Sequence, residues 1–155
     1  MAHIELPLKD HSEGKHITLL HFPRDLNSEE AAVIVEGMAA LGAFYGDYMY
    51  DMSYGEKVFF GPAYNRVPAA TVELGTNALT DFRERLLQGI RSKLPRVPIS
   101  QDYGTKWEPH VTNPPFDIMQ WSPIHYHREL RLVIGEVVIP VPFADAGEEP
   151  NPRIG

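Results

Sequence analysis

The chain has no cysteine. That excludes a disulfide framework, a thiolate nucleophile and any cysteine-ligated zinc or iron–sulfur centre, so any chemistry must rest on other side chains. Basic residues are also scarce: 14 Lys and Arg stand against 21 Asp and Glu, for a formal net charge of -7. Binding along a nucleic-acid backbone depends on phosphate neutralisation by a basic surface, so a long nucleic-acid partner is not expected. A small anionic ligand stays open, because a local patch drawn from residues such as Lys57, Lys106, Arg128 and Arg131 could meet it. No segment approaches the roughly 20 continuous apolar residues of a membrane-spanning helix, which argues against a membrane partner. The opening MAHIELPLKDH lacks the basic start and apolar centre of a signal peptide, so a cytoplasmic location is expected.

What is present is ordinary for a folded domain: of 155 residues, 43% are hydrophobic and 23% charged, enough for one real core. Residues 1–143 form one expected domain. The remainder, 144–155 (ADAGEEPNPRIG), is too poor in apolar residues to pack and is expected to fray.

KHITLLHF at 15–22 has the β-branched and apolar content of a strand. A strict period of two sets His16, Thr18, Leu20 and Phe22 on one face and Ile17, Leu19 and His21 on the other. Beyond Pro23, Asn27 is a candidate N-cap with Glu30 at the capping-box spacing. Ala31, Ile34, Val35, Met38 and Leu41 recur at helical spacing, with Gly42 an expected stop. Residues 42–56 suggest a loop holding at most a short irregular strand. Strands are expected at 58–61 and 69–74, and a second helix from Thr76 or Asn77 to Pro95 with Leu79, Phe82, Leu86 and Ile90 on one face. A short strand at His110–Thr112 and a long one at 130–139 complete an order β-α-β-β-α-β-β, an α+β domain.

Two tripeptides carry the chemistry. His16-Ile17-Thr18 and His110-Val111-Thr112 both set a histidine and a threonine on one face of a strand, with a β-branched residue turned the other way. Brought together, two imidazoles and two hydroxyls suit a phosphodiester. Imidazole titrates near the working pH, so one ring can deprotonate the attacking oxygen while the other protonates the leaving oxygen. The hydroxyls can donate to the non-bridging oxygens as their charge grows. His125 and His127 sit at alternate positions and raise a different possibility, a histidine metalloenzyme with His110. A non-catalytic nucleotide or RNA-end binding module is a third.

The HITL and PHVT pair resembles the signature of the 2H phosphoesterase superfamily, which includes RNA 2′-5′ ligases and 2′,3′-cyclic phosphodiesterases. The resemblance implies a bilobal fold with two antiparallel sheets facing a central cleft and helices outside. It makes His16 and His110 the acid/base pair and Thr18 and Thr112 the phosphate-holding hydroxyls. No metal or other cofactor is implied. The implied substrate is a small nucleotide phosphodiester: a 2′,3′-cyclic phosphate, a 2′-5′ oligonucleotide, or a cyclic-nucleotide signal such as small phage-encoded relatives degrade. Trp107, Lys106, Tyr103 and Trp121 flank the second motif and are candidates for substrate contact, the tryptophans through base stacking. The second motif departs from the family pattern in running into Asn113-Pro114-Pro115, which must end that strand at once.

Overall fold

Apolar residues at every second position build most of the molecule. In the computed structural model, residues 1–9, 15–45, 51–60, 67–100, 107–114 and 119–143 are described, apart from the side chains of 43–45 and 60. They form strands β1 (Ala2–Pro7), β2 (His16–Phe22), β3 (Met52–Phe60), β4 (Val67–Leu74), β5 (His110–Thr112), β6 (Glu129–Ile134) and β7 (Val137–Pro142). The helices are α1 (Ser28–Tyr45) and α2 (Ala78–Lys93). The segment 144–155, where fraying is expected, lies outside the described residues.

All seven strands join one antiparallel sheet in the order β3-β4-β5-β2-β1-β6-β7. The class is therefore α+β, but one sheet stands where two facing sheets were expected. The join lies between β2 and β5, where Ile17 pairs with Val111 and links the β3-β4-β5 half to the β2-β1-β6-β7 half.

One face of the sheet is apolar throughout. Leu132, Ile4 and Leu20 are cross-strand partners on it, as are Leu6, Ile17, Val111 and Ala70, and all are buried. The helices contact each other and strands of this sheet, with Ala31, Ile34 and Met38 of α1 and Leu79, Phe82, Leu86, Leu87 and Ile90 of α2 in the same core cluster. Burying each of the larger of these side chains contributes about 1.5–3 kcal/mol. The face opposite this core is left to carry polar groups.

Local chemistry sets the helix ends. The Asn27 side chain accepts from the Glu30 amide at 2.8 Å, and the Glu30 carboxylate accepts from the Asn27 amide at 3.0 Å, the expected capping box. Helix α2 ends before Pro95, and the Leu94 amide still donates to Ile90 O at 2.7 Å.

No strand is expected at Ala2–Pro7, where β1 lies, and three boundaries differ from expectation. Helix α1 runs through Gly42, where a Cβ would lie 2.9 Å from Phe143 Cδ1. The glycine gives Phe143 room rather than stopping the helix. The long strand at 130–139 is a hairpin, since Gly135 takes a φ of 58° and lets Ile134 pair with Val137 across a two-residue turn. Of the expected loop at 42–56, residues 42–45 belong to α1 and 52–56 to β3, whose register shifts between Tyr54 and Lys57, interrupting the alternation that marks a strand.

Candidate active site

The Ile17–Val111 pairing fixes the relation of the two motifs. Both residues point into the core, so His16, Thr18, His110 and Thr112 share the opposite face. In antiparallel register Thr18 then lies opposite His110 and His16 opposite Thr112, related by an approximate two-fold axis between the strands. The two histidines are diagonal neighbours, their Cα atoms about 7–8 Å apart.

The register extends this polar row across the sheet. Arg131 on β6 pairs with Glu5 on β1, Glu5 pairs with Thr18, and His110 pairs with Thr71 on β4. His3 lies two residues before Glu5, opposite His21. His21 therefore shares the face of His16, contrary to the parity of a regular strand. The pairing shifts from Ile4–Leu20 to Glu5–Thr18, so β2 carries an extra residue, Leu19, that buries both Leu19 and Leu20 and reverses the alternation beyond. His21 Nδ1 is 2.9 Å from Ser100 Oγ.

A hydrogen bond at His110 and an ion-pair contact at His16 bear on how the motif rings are presented. His110 Nδ1 is 2.9 Å from Glu108 O. A carbonyl only accepts, so Nδ1 carries the proton and neutral His110 has Nε2 as its basic nitrogen. His16 Nδ1 lies 3.5 Å from Glu5 Oε1, which favours the same tautomer. The same oxygen is 2.7 Å from His3 Nε2, and the His3 and His16 rings stack with centroids 5.4 Å apart.

Glu5 is the one buried charged residue among the described residues, at 9% exposure, although it lies on the polar face. Burial pushes its carboxyl up, but the hydrogen bond with His3 and the charges of His16, His3 and Arg131 outweigh that and hold it below its ordinary value. Arg131 is bonded in turn to Glu129 at 2.6 Å.

The other candidates divide. Trp107 is half-buried; its indole N–H donates to Thr18 O at 3.3 Å, and Arg83 of α2 sits 5.1 Å from its ring centroid. Arg83 also donates to Leu19 O at 2.7 Å, so both side chains brace the backbone of β2 around the first motif. Trp121 is 65% exposed with φ 73°, and it lines a cavity of about 430 Å³ with Ser53, Glu73, Leu74 and Pro123. Glu73 lies two residues beyond Thr71 on β4, which brings this cavity toward the His110 side of the row. Lys106 and Tyr103 lie outside the described residues.

The second motif ends as its prolines require: β5 stops at Thr112 and Asn113 takes a φ of 50°. His125 and His127 are not gathered with His110. Their segment runs from a bridge with β3 at Ser53–Pro123 to the end of β1, where the His127 amide donates to Pro7 O, and neither histidine belongs to the group of converging donors found among the described residues.

His3, Glu5, Thr71 and the position of Arg131 were missed as site residues. The signal for the first two was present: AHIELP alternates polar and apolar residues with a strand's period, and His3 and Glu5 fall on one face.

No family model matches the chain, and no curated protein matches it. Among solved structures it is similar to the crystal structure of the protein TT0787 of Thermus thermophilus. The two share 14% identity with a TM-score of 0.60, over 90% of this chain and 94% of that one. At that identity the likeness shows the fold alone.

Proposed function

We propose that the protein is a metal-independent phosphodiesterase that cleaves a small nucleotide phosphodiester by two-histidine acid/base catalysis. A 2′,3′-cyclic phosphate, a 2′-5′ oligonucleotide or a cyclic-nucleotide signal fits the reading. The observation that carries it is the β2–β5 seam, which turns two distant His-x-Thr tripeptides to one face with His and Thr exchanged across it. On this reading the two halves of the sheet are the two lobes that the 2H resemblance implies, joined at the seam.

The phosphorus sits above Ile17 and Val111, with Thr18 and Thr112 donating to its non-bridging oxygens. One histidine takes a proton from water or a ribose hydroxyl through Nε2 as that oxygen bonds to phosphorus. The other gives a proton to the departing ribose oxygen as its bond to phosphorus breaks. Trp121 and its neighbouring cavity are the proposed seat of a nucleobase, with Tyr103 and Lys106 as further substrate contacts. Trp107 supports the site by holding the Thr18 carbonyl.

The test is a screen of 2′,3′-cyclic nucleotides, cyclic dinucleotides and 2′-5′ oligoadenylate in the presence of EDTA, with His16→Ala and His110→Ala beside the parent. Turnover by the parent, a loss of about a hundredfold or more in each variant, and a bell-shaped pH profile are expected. Activity abolished by EDTA, or undiminished in either folded variant, rejects the mechanism.

A further inference from the structure

We propose that His3, Glu5 and His16 form a binding site for a late first-row divalent metal ion, Zn²⁺ foremost, whose occupancy takes His16 out of use. The metal site stands on geometry alone, while its inhibitory effect rests on the phosphodiesterase reading above.

Three donor atoms already converge. His3 Nε2 and His16 Nδ1 lie 2.7 Å and 3.5 Å from the same Glu5 oxygen, and one ligand atom from each residue falls within 4.8 Å of the others. Bonds of about 2.0–2.2 Å in a tetrahedral site place donors about 3.4 Å apart. The His16–Glu5 separation already matches that edge. The His3–Glu5 separation is shorter because a hydrogen bond joins the pair, and a metal entering there displaces its proton to solvent. The rings stack 18° from parallel, so coordination asks the partly exposed His3 ring to turn toward the buried carboxylate.

The donor set selects the ion. Two imidazole nitrogens and one carboxylate oxygen, with a fourth position left open, suit zinc and its neighbours; calcium and magnesium call for oxygen donors. Arg131 would oppose a cation beside Glu5, but its guanidinium is bonded to Glu129, which offsets that charge. A nearly buried carboxylate between two imidazoles is held there by those rings, and the same arrangement offers a metal its three donors. With a metal on Nδ1, the His16 ring proton is fixed on Nε2, so the ring can no longer accept one from a nucleophile.

The experiment is calorimetric titration of the full chain with zinc chloride, in buffers of differing ionisation enthalpy to count released protons. One equivalent is expected to bind with proton release. Affinity should fall at least ~10–100-fold in His3→Ala and in Glu5→Gln, the loss that even an outer-shell partner causes. It should hold in His110→Ala and in a His125→Ala/His127→Ala pair, and excess magnesium should not compete. Circular dichroism confirms that each variant is folded, and Glu5→Gln preserves side-chain volume. Absence of stoichiometric binding, binding unchanged in both His3→Ala and Glu5→Gln, or binding lost in the His125/His127 pair overturns the site. Turnover that zinc fails to inhibit, despite binding there, overturns the inhibitory role. A parent inactive on every diester with zinc still bound at these residues rejects the phosphodiesterase reading and leaves the metal site standing.

Discussion

Ile17 and Val111 pair directly across the seam between β2 and β5, each with no exposed surface, and this contact aligns both candidate motifs. Because strand side chains alternate, a slip of one residue at this point turns a whole motif into the core. The strand involved is three residues long, so its position depends heavily on packing. Ile17→Ala is expected to destabilise the protein by about 2–5 kcal/mol and Ile17→Val by about 0.5–1.5 kcal/mol. Urea unfolding measures both. A cost for the alanine variant no greater than for valine would show that the seam is not tightly packed.

The threonines make a sharper test of the chemistry than the histidines do, since their hydroxyls are asked only to stabilise charge. Thr18→Val and Thr112→Val keep shape and β-propensity while removing the donor. Each should lower kcat by about a hundredfold and leave unfolding midpoints nearly unchanged, as for other donors aimed at a developing negative charge. A rise in KM at constant kcat would assign the hydroxyls to ground-state binding instead.

Two carboxyls should shape the acid limb of stability. Glu5 lies below its ordinary value for the reasons given above, and Glu30 is held at about 2 by its hydrogen bond from Arg24 and that from the Asn27 amide. A carboxyl with a lower value folded than unfolded contributes stability above about pH 4.3, lost as pH falls through the folded value. The stability gap between the parent and Glu5→Gln, present at pH 7, should therefore close as pH drops below about 4. Glu30→Gln should behave alike, with closure extending toward pH 2. Unfolding curves measured from pH 7 to pH 2 decide this, and gaps that stay constant would remove both carboxyls from the acid response.

How far the sequence could be read follows from the kind of order each element has. The Asn27–Glu30 box, the buried stripe of α2 and the stop after Thr112 are local, and all three were legible from residues a few positions apart. The shared face of the two motifs was foreseeable from strand parity, but their contact was not, because pairing across the chain leaves no local mark. Bulges caused the plainest failures. The extra Leu19 carried His21 to the face of His16, and the shift after Tyr54 hid β3 within a glycine- and tyrosine-rich stretch. Glu5 escaped notice because a carboxylate near the chain start attracts attention only once β1 is seen to lie beside β2.

Glycines in the two helices separate packing from propensity. A helix-interior glycine costs roughly 0.5–1 kcal/mol relative to alanine, so its retention asks for a reason. At Gly42 the reason is Phe143: an added Cβ would sit 2.9 Å from one ring carbon and 3.3 Å from the next, so the ring or the helix must shift. At Gly89 an added Cβ meets nothing within 4 Å. Gly89→Ala should therefore stabilise by about 0.5–1 kcal/mol through reduced freedom of the unfolded chain and better helix propensity. Gly42→Ala should destabilise despite the same propensity gain, because overpacking typically costs about 1–3 kcal/mol. Thermal unfolding of the two variants should move the midpoint in opposite directions. A stabilised Gly42→Ala would mean that Phe143 does not pack against α1 at this turn.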